Sequence, residues 1–207
     1  MPTTTYTPVY ATPSQLNSGE VVTAAEWNAV AKDVAFLRSG PWAIAYQTAN
    51  SSSLATNTTQ TLFGGTGSGT YTLVTNTTVL APTLTSGVFT VPQAGMYHIS
   101  LCVGVPSTNT AHWRAQLAGY ASGTNVWNFA GNTVNAVSGG SNDFSVLSIT
   151  VPLGTGAPMG GANQFAVQVQ NTNVSGAAIT VLGQSTLAAL QTTWVSVSYL
   201  GNGFGPF

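Results

Sequence analysis

Two periodicities divide this chain. Near its start, Trp27, Val30, Val34 and Leu37 recur at intervals of 3, 4 and 3 residues, which lays them along one stripe of an α-helix. Thr23 precedes Glu26 by the spacing of a capping box, just ahead of the apolar run. Glu26 falls in the first turn and Arg38 in the last, each at the favourable end of the helix dipole. Gly40-Pro41 ends the pattern, so the predicted helix spans Thr23 to Arg38, about 24 Å long. Residues 1–18, with Pro2, Pro8 and Pro13 among threonines, show no period and read as an extended arm.

From Trp42 onward the signal is short β segments separated by Gly, Asn, Ser and Pro. Thr70 to Val74 alternates, Gly87 to Pro92 leads into a turn at Gln93-Ala94-Gly95, and Met96 to Val103 continues as a strand. Further strands are predicted at His112 to Leu117, Val126 to Ala130, Phe144 to Val151, Phe165 to Gln170, Ala178 to Leu182 and Thr193 to Leu200. Phe165, Val167 and Val169 alternate with Ala166, Gln168 and Gln170, the pattern of a strand with one buried face. Eight or so strands without a helix among them predict an antiparallel β-sandwich or jelly roll over residues 41–207. Residues 1–40 form a separate arm and attachment helix. Gly64 to Gly69 reads as a flexible loop; without a Lys-Ser/Thr ending it is not a phosphate cradle.

Charge sharpens this picture. Only three basic and four acidic residues occur in 207, where an ordinary domain would carry roughly fifty. Five of the seven lie between Glu20 and Arg38, leaving Arg114 and Asp143 to the β domain. Three cations cannot neutralise a nucleic-acid backbone or hold an anionic membrane surface. Charge-driven disorder is excluded too, since 43% of the residues are hydrophobic and the net charge is −1. No apolar run approaches the ~20 residues of a membrane span, and Met1-Pro2-Thr3-Thr4-Thr5 lacks the features of a signal peptide. Solubility must then come from Thr, Ser, Asn and Gln, and a surface of this kind associates unless its apolar patches are covered. An assembly is the expectation.

Candidate chemistry is sparse. A single carboxylate in the β domain, Asp143, rules out a paired-carboxylate mechanism there. His98 and His112 stand in no metal-ligand spacing, Cys102 reads as a buried strand cysteine, and no G-x-S-x-G elbow supports a Ser-His-Asp triad. No catalytic residue, metal or cofactor is expected. His112-Trp113-Arg114 sets a cation beside an aromatic, open to a sugar cap or a simple strand-edge cluster. Arg114 and Asp143, the domain's only opposite charges, could meet as an ion pair or stand apart.

Two stretches resemble known families. Gly87-Val88-Phe89-Thr90-Val91-Pro92-Gln93-Ala94-Gly95-Met96-Tyr97-His98-Ile99-Ser100 is similar to the C1q/TNF jelly roll, with its Phe-Thr-x-Pro, short turn, Gly and Tyr-bearing strand. Ala115-Gln116-Leu117-Ala118-Gly119 resembles that family's Leu-x-x-Asn-Gly hairpin, with Ala118 in place of Asn. Phe144 to Gly154 and the tail Thr193 to Leu200 resemble its later strands. The resemblance covers residues 70–200 and implies a homotrimer packed through aromatic and aliphatic side chains, with Phe89, Tyr97, Ile99, Phe165, Trp194 and Tyr199 in the core or at the trimer contact. Missing acidic residues argue against the calcium sites of some members. The second stretch, Gly19-Glu20-Val21-Val22-Thr23-Ala24-Ala25-Glu26-Trp27-Asn28 followed by Asp33 and Phe36-Leu37, resembles the opening common in tailed-phage structural proteins.

Together these resemblances imply a virion structural protein: a trimeric capsid decoration or short fibre at the particle surface. Trp27, Val30, Val34 and Leu37 would contact other virion proteins of the capsid or tail. A binding module for a host glycan is the alternative, with Trp113, Tyr120, Trp127 and Trp194 as stacking faces. No nucleic-acid or membrane partner is expected.

Overall fold

The computed structural model describes residues 40–76, 81–106, 112–135, 142–173, 177–183 and 192–201. The predicted helix, with Trp27, Val30, Val34 and Leu37, lies outside the described residues, and so does the arm. Among the described residues eleven strands follow one another: β1 (Trp42–Gln47), β2 (Thr59–Thr61), β3 (Tyr71–Thr75), β4 (Thr83–Thr85), β5 (Val88–Thr90), β6 (Gly95–Pro106), β7 (His112–Ala121), β8 (Thr124–Asn135), β9 (Asn142–Leu153), β10 (Gln164–Asn171) and β11 (Trp194–Gly201). All pairings are antiparallel.

One sheet has the order β3-β1-β11-β6-β9 and the other β4-β5-β10-β7-β8, with β2 also pairing with β10. Sequence neighbours are split between them: among the described strands only β4–β5 and β7–β8 are successive within one sheet, and every other step along the chain changes sheet. This wrapping of two sheets around one core is the jelly-roll sandwich expected from the strand spacing.

Alternation supplies the core. Phe89 and Phe165, directly opposed in register, stack with centroids 4.8 Å apart and planes 2° from parallel. Phe63 meets Phe89 edge-on, and Tyr97 packs against Tyr199 with centroids 5.2 Å apart. Ile99, Leu101, Leu117, Leu153 and Trp113 complete the interior. Burial, and secondarily the neighbouring Tyr199, push the Tyr97 phenol up well above its ordinary value, against the opposing effect of its 2.7 Å hydrogen bond to the Gln93 carbonyl.

Along one side the sandwich is stitched by β8 and β9. The β7–β8 register slips between Arg114 and Gln116, a bulge on the β8 side. There Ser145, fully buried, accepts from the Ala115 amide at 3.2 Å and donates to the Asn132 carbonyl at 3.0 Å.

Two expectations need correction. Ala178 to Leu182 is not a strand: Ile179 makes only an isolated bridge with Leu54. The Gly64–Gly69 segment is not loose either. Ser68 Oγ accepts from the Gly64 amide at 2.8 Å and donates to the Gly65 carbonyl at 2.8 Å, while the Ser52 amide donates to Gly67. A side chain at Gly69 would run into the Ala49 carbonyl, so the glycine is required by close backbone approach.

Candidate assembly interface

The outward face of the β3-β1-β11-β6-β9 sheet is built in register rows, because directly opposed residues share a face. One row runs Thr72, Tyr46, Trp194, Cys102, Val146 across all five strands. The next runs Val74, Ile44, Ser196, Ser100, Ser148, and a third Trp42, Ser198, His98, Thr150. At the β9 edge Phe144 lies opposite Gly104, and a side chain on that glycine would press on the phenyl ring.

Val146 is 58% exposed and Phe144 39%. Two large apolar groups therefore face water at the sheet's β9 edge, beside half-buried Trp194. A shallow cavity of about 240 Å³, lined by Ser100, Val146, Ser148, Trp194 and the backbone neighbours Leu101 and Leu147, opens at this point. It has room for one large side chain. Cys102 shares the face but is buried, and burial pushes its thiol up.

The polar part of the face is a cluster of hydroxyls around His98. Its Nε2 is 3.0 Å from Ser100 Oγ and 3.2 Å from Ser148 Oγ, and its Nδ1 is 3.2 Å from Thr150 Oγ1. Ser100 and Ser148 are themselves 2.9 Å apart. The imidazole thus bridges β6 to β9. The cluster contains no carboxylate, lysine or arginine, and none occurs in any of the three rows.

The outward face of the second sheet has a different chemistry. Gln170 and Arg114 oppose each other, as do Gln168 and Gln116, and Gln164 and Tyr120. Arg114 Nε donates to Gln170 Oε1 at 2.8 Å and Gln116 Nε2 to Gln168 Oε1 at 2.7 Å. Gln168 Nε2 reaches the Tyr120 hydroxyl at 3.0 Å, passing over the small pair Ala118 and Ala166. The result is a ladder of mutually held amides.

Of the six residues expected in the jelly-roll core or at the trimer contact, Phe89, Tyr97, Ile99, Phe165 and Tyr199 are in the core and Trp194 is on the outward face. Among the described residues no ion pair joins Arg114 to Asp143. Arg114 points outward from β7 and is held by Gln170, whereas Asp143 opposes buried Val105 on the other sheet and its Oδ2 has no hydrogen-bond partner. The suggested Trp113–Arg114 cap is absent for a geometric reason: consecutive strand residues face opposite ways, and Trp113 is fully buried. Trp127 is in the core as well, so of the four aromatics considered for sugar stacking only Tyr120 and Trp194 reach an outward face. Among the described residues no three His, Cys, Asp or Glu side chains come together as a metal cluster. No described helix is long and apolar enough to cross a membrane.

No family model matches the chain, and no curated protein matches it. Among solved structures it is similar to Eiger TNF from S. frugiperda, with 15% identity, 81% of this chain and 98% of that one covered, and a TM-score of 0.45. Murine APRIL is similar at 11% identity, with 77% and 99% covered and a TM-score of 0.46. The PRD1 vertex protein P5 is similar at 14% identity, with 78% and 96% covered and a TM-score of 0.48. The assignment of the fold rests on the two strand orders themselves.

Proposed function

We propose that this chain is a non-enzymatic structural protein of a tailed-phage particle: a homotrimeric capsid decoration or short fibre, anchored by residues 1–40 and projecting its jelly roll from the particle surface. The observation that carries the reading is the uncharged outward face of the β3-β1-β11-β6-β9 sheet, with Trp194, Val146 and Phe144 at one end and Trp42, Ile44 and Tyr46 on β1. Depletion of charge and enrichment in aromatics mark the buried centre of a protein interface. A contiguous apolar patch left wet is also a liability for a surface with so little charge to keep it soluble. A second copy of the same face's edge suits the cavity beside Trp194, and cyclic closure limits the assembly to a few protomers. The C1q/TNF resemblance supports three. The opening at Gly19 to Asn28 supports a phage particle, with Trp27, Val30, Val34 and Leu37 as the attachment stripe.

The test has two parts. Val146→Glu, which adds a charge to an exposed position, is expected to convert the trimer to protomers by sedimentation velocity. Trp27→Ser with Leu37→Ser is expected to abolish incorporation into particles while leaving the trimer intact. A native chain that sediments as a protomer, or an undiminished incorporation of the double variant, sinks the corresponding half of the proposal.

The amide ladder of the second sheet favours one further reading, a particle-borne module that binds a host glycan through Gln116, Gln168, Gln170, Tyr120 and Arg114. Its side chains are already held in place, which lowers the ordering cost of binding. A glycan array on the full chain that shows no binding would remove it.

A further inference from the structure

We infer that association through the outward face of the β3-β1-β11-β6-β9 sheet is gated by protonation of His98, assembled protomers being favoured while the imidazole is neutral and released as it gains a proton. The inference rests on the trimer proposed above.

His98 stands in the third register row, between Ser198 of β11 and Thr150 of β9. In the neutral ring one nitrogen donates and the other accepts. Hydroxyls can serve either role, so Thr150 at Nδ1 and Ser100 and Ser148 at Nε2 satisfy whichever tautomer is present. Protonation removes the acceptor, and every contact at the ring must then run outward from it. None of these partners can supply negative charge.

The surroundings offer no compensation. On β6 itself the same face carries Met96, Ser100 and Cys102; β9 presents Val146, Ser148 and Thr150; β11 presents Trp194, Ser196 and Ser198; and β1 beyond it presents Trp42, Ile44 and Tyr46. The titratable groups among them are Cys102 and Tyr46, and neither is a carboxylate that could pair an imidazolium. Asp143 opposes inward-facing Val105, and Arg114 belongs to the other sheet. A cation at His98 would therefore be carried into an interface with no carboxylate on its own face to pair it, which is strongly disfavoured.

The sign follows. If only the neutral ring is accommodated, each protomer must shed the imidazole proton before it joins. The association free energy is then fully present while the ring is neutral and is lost as pH falls through the range in which imidazoles take up a proton. With one His98 per protomer, a trimer that sheds three protons on forming loses up to about a thousandfold in its association constant for each pH unit of fall within that range.

The experiment is sedimentation velocity of the full chain from about pH 8 to about pH 5, spanning the imidazole range, with circular dichroism at each step. Wild type is expected to pass from trimer to folded protomer, His98→Gln to stay trimeric throughout, and His98→Lys to be a protomer at every pH. A wild type that stays trimeric across the range overturns the gate while leaving the trimer standing. A His98→Gln variant that dissociates along the wild-type profile also overturns it, since another group would be responsible. Dissociation accompanied by loss of the β signal overturns it as acid unfolding. A protomer at every pH removes the trimer and the gate together.

Discussion

Replacing Gly119 by Ala tests the packing of the second sheet through the sign of its effect. Gly119 lies within β7 and opposes Trp127 of β8 on the core side. Its φ is not in the left-handed region, so Ala is allowed there, and a Gly to Ala change in a strand should gain about 0.5–1 kcal/mol. The structure demands the opposite. A methyl group at this position would overlap Cε2 and Cζ2 of the Trp127 indole and lie 2.5 Å from Cδ2, where carbon atoms settle at about 3.5–4.0 Å. The indole would have to retreat by on the order of 1 Å. It is buried and touches the Phe129 ring at a centroid distance of 5.1 Å, so the retreat disturbs a second aromatic. Overpacking of this kind costs about 1–3 kcal/mol, enough to outweigh the backbone gain. The net loss of about 0.5–2 kcal/mol, at about 2–4 °C per kcal/mol for a domain of this size, should lower the melting temperature by roughly 1–8 °C. Thermal unfolding followed by circular dichroism measures it. The same substitution in a Trp127→Phe background should cost less, a coupling of about 1 kcal/mol or more between the two sites. A single Gly119→Ala variant as stable as wild type, or more so, would show that the indole does not lie against that glycine.

Three further outcomes are expected. Because the buried Tyr97 phenol is held well above its ordinary value, stability should be level below about pH 10 and decline above it as the unfolded chain ionises; Tyr97→Phe should flatten that decline, and an unchanged alkaline slope in urea midpoints would refute the assignment. Ser145→Ala leaves the Ala115 amide without its acceptor in the interior, so a loss of about 1–3 kcal/mol in chemical denaturation is expected, and a neutral result would show that another group accepts. Trimer mass should be insensitive to sodium chloride, since the proposed interface has no charges for salt to screen; dissociation at high salt would contradict the uncharged interface.

The sandwich was legible because most strands obey alternation: β6, β7, β9, β10 and β11 each bury one face and wet the other. What was missed was missed for physical reasons. β1, Trp-Ala-Ile-Ala-Tyr-Gln, buries the small residues Ala43 and Ala45 and turns Trp42, Ile44 and Tyr46 outward. Its outward face is more apolar than its inward one, so period-two polarity is hidden where the candidate interface begins. β2 and β4 are three residues long, too short to carry a period. In the other direction, the apolar run at Ala178 to Leu182 buries Ile179 and Val181 without belonging to either sheet. Burial and strand pairing leave the same trace in sequence. The aromatic count likewise could not separate core from surface: Trp113, between His112 and Arg114, is sent inward, and Trp194, between Thr193 and Val195, is sent outward.

The two outward faces show which one an assembly should cover. Both lack carboxylates, and both must meet water through hydroxyls and amides. On the second sheet, each of three rows carries a Gln opposite Arg114, Gln116 or Tyr120. Covering that face strips water from amides whose remaining donors and acceptors need replacements, at about 1–3 kcal/mol for each one left unmet. It would also desolvate the guanidinium of Arg114, four of whose five N–H groups are left for water after the bond to Gln170. On the first sheet the Trp194–Cys102–Val146 row and Phe144 gain about 25 cal/mol for every Å² they lose to water. The hydroxyls around His98 already satisfy one another there. Desolvation therefore favours burying the first sheet's face and leaving the amide ladder wet. A trimer built this way presents the glutamines and Arg114 outward, so the same inequality that selects the assembly face also fixes which surface stays in water.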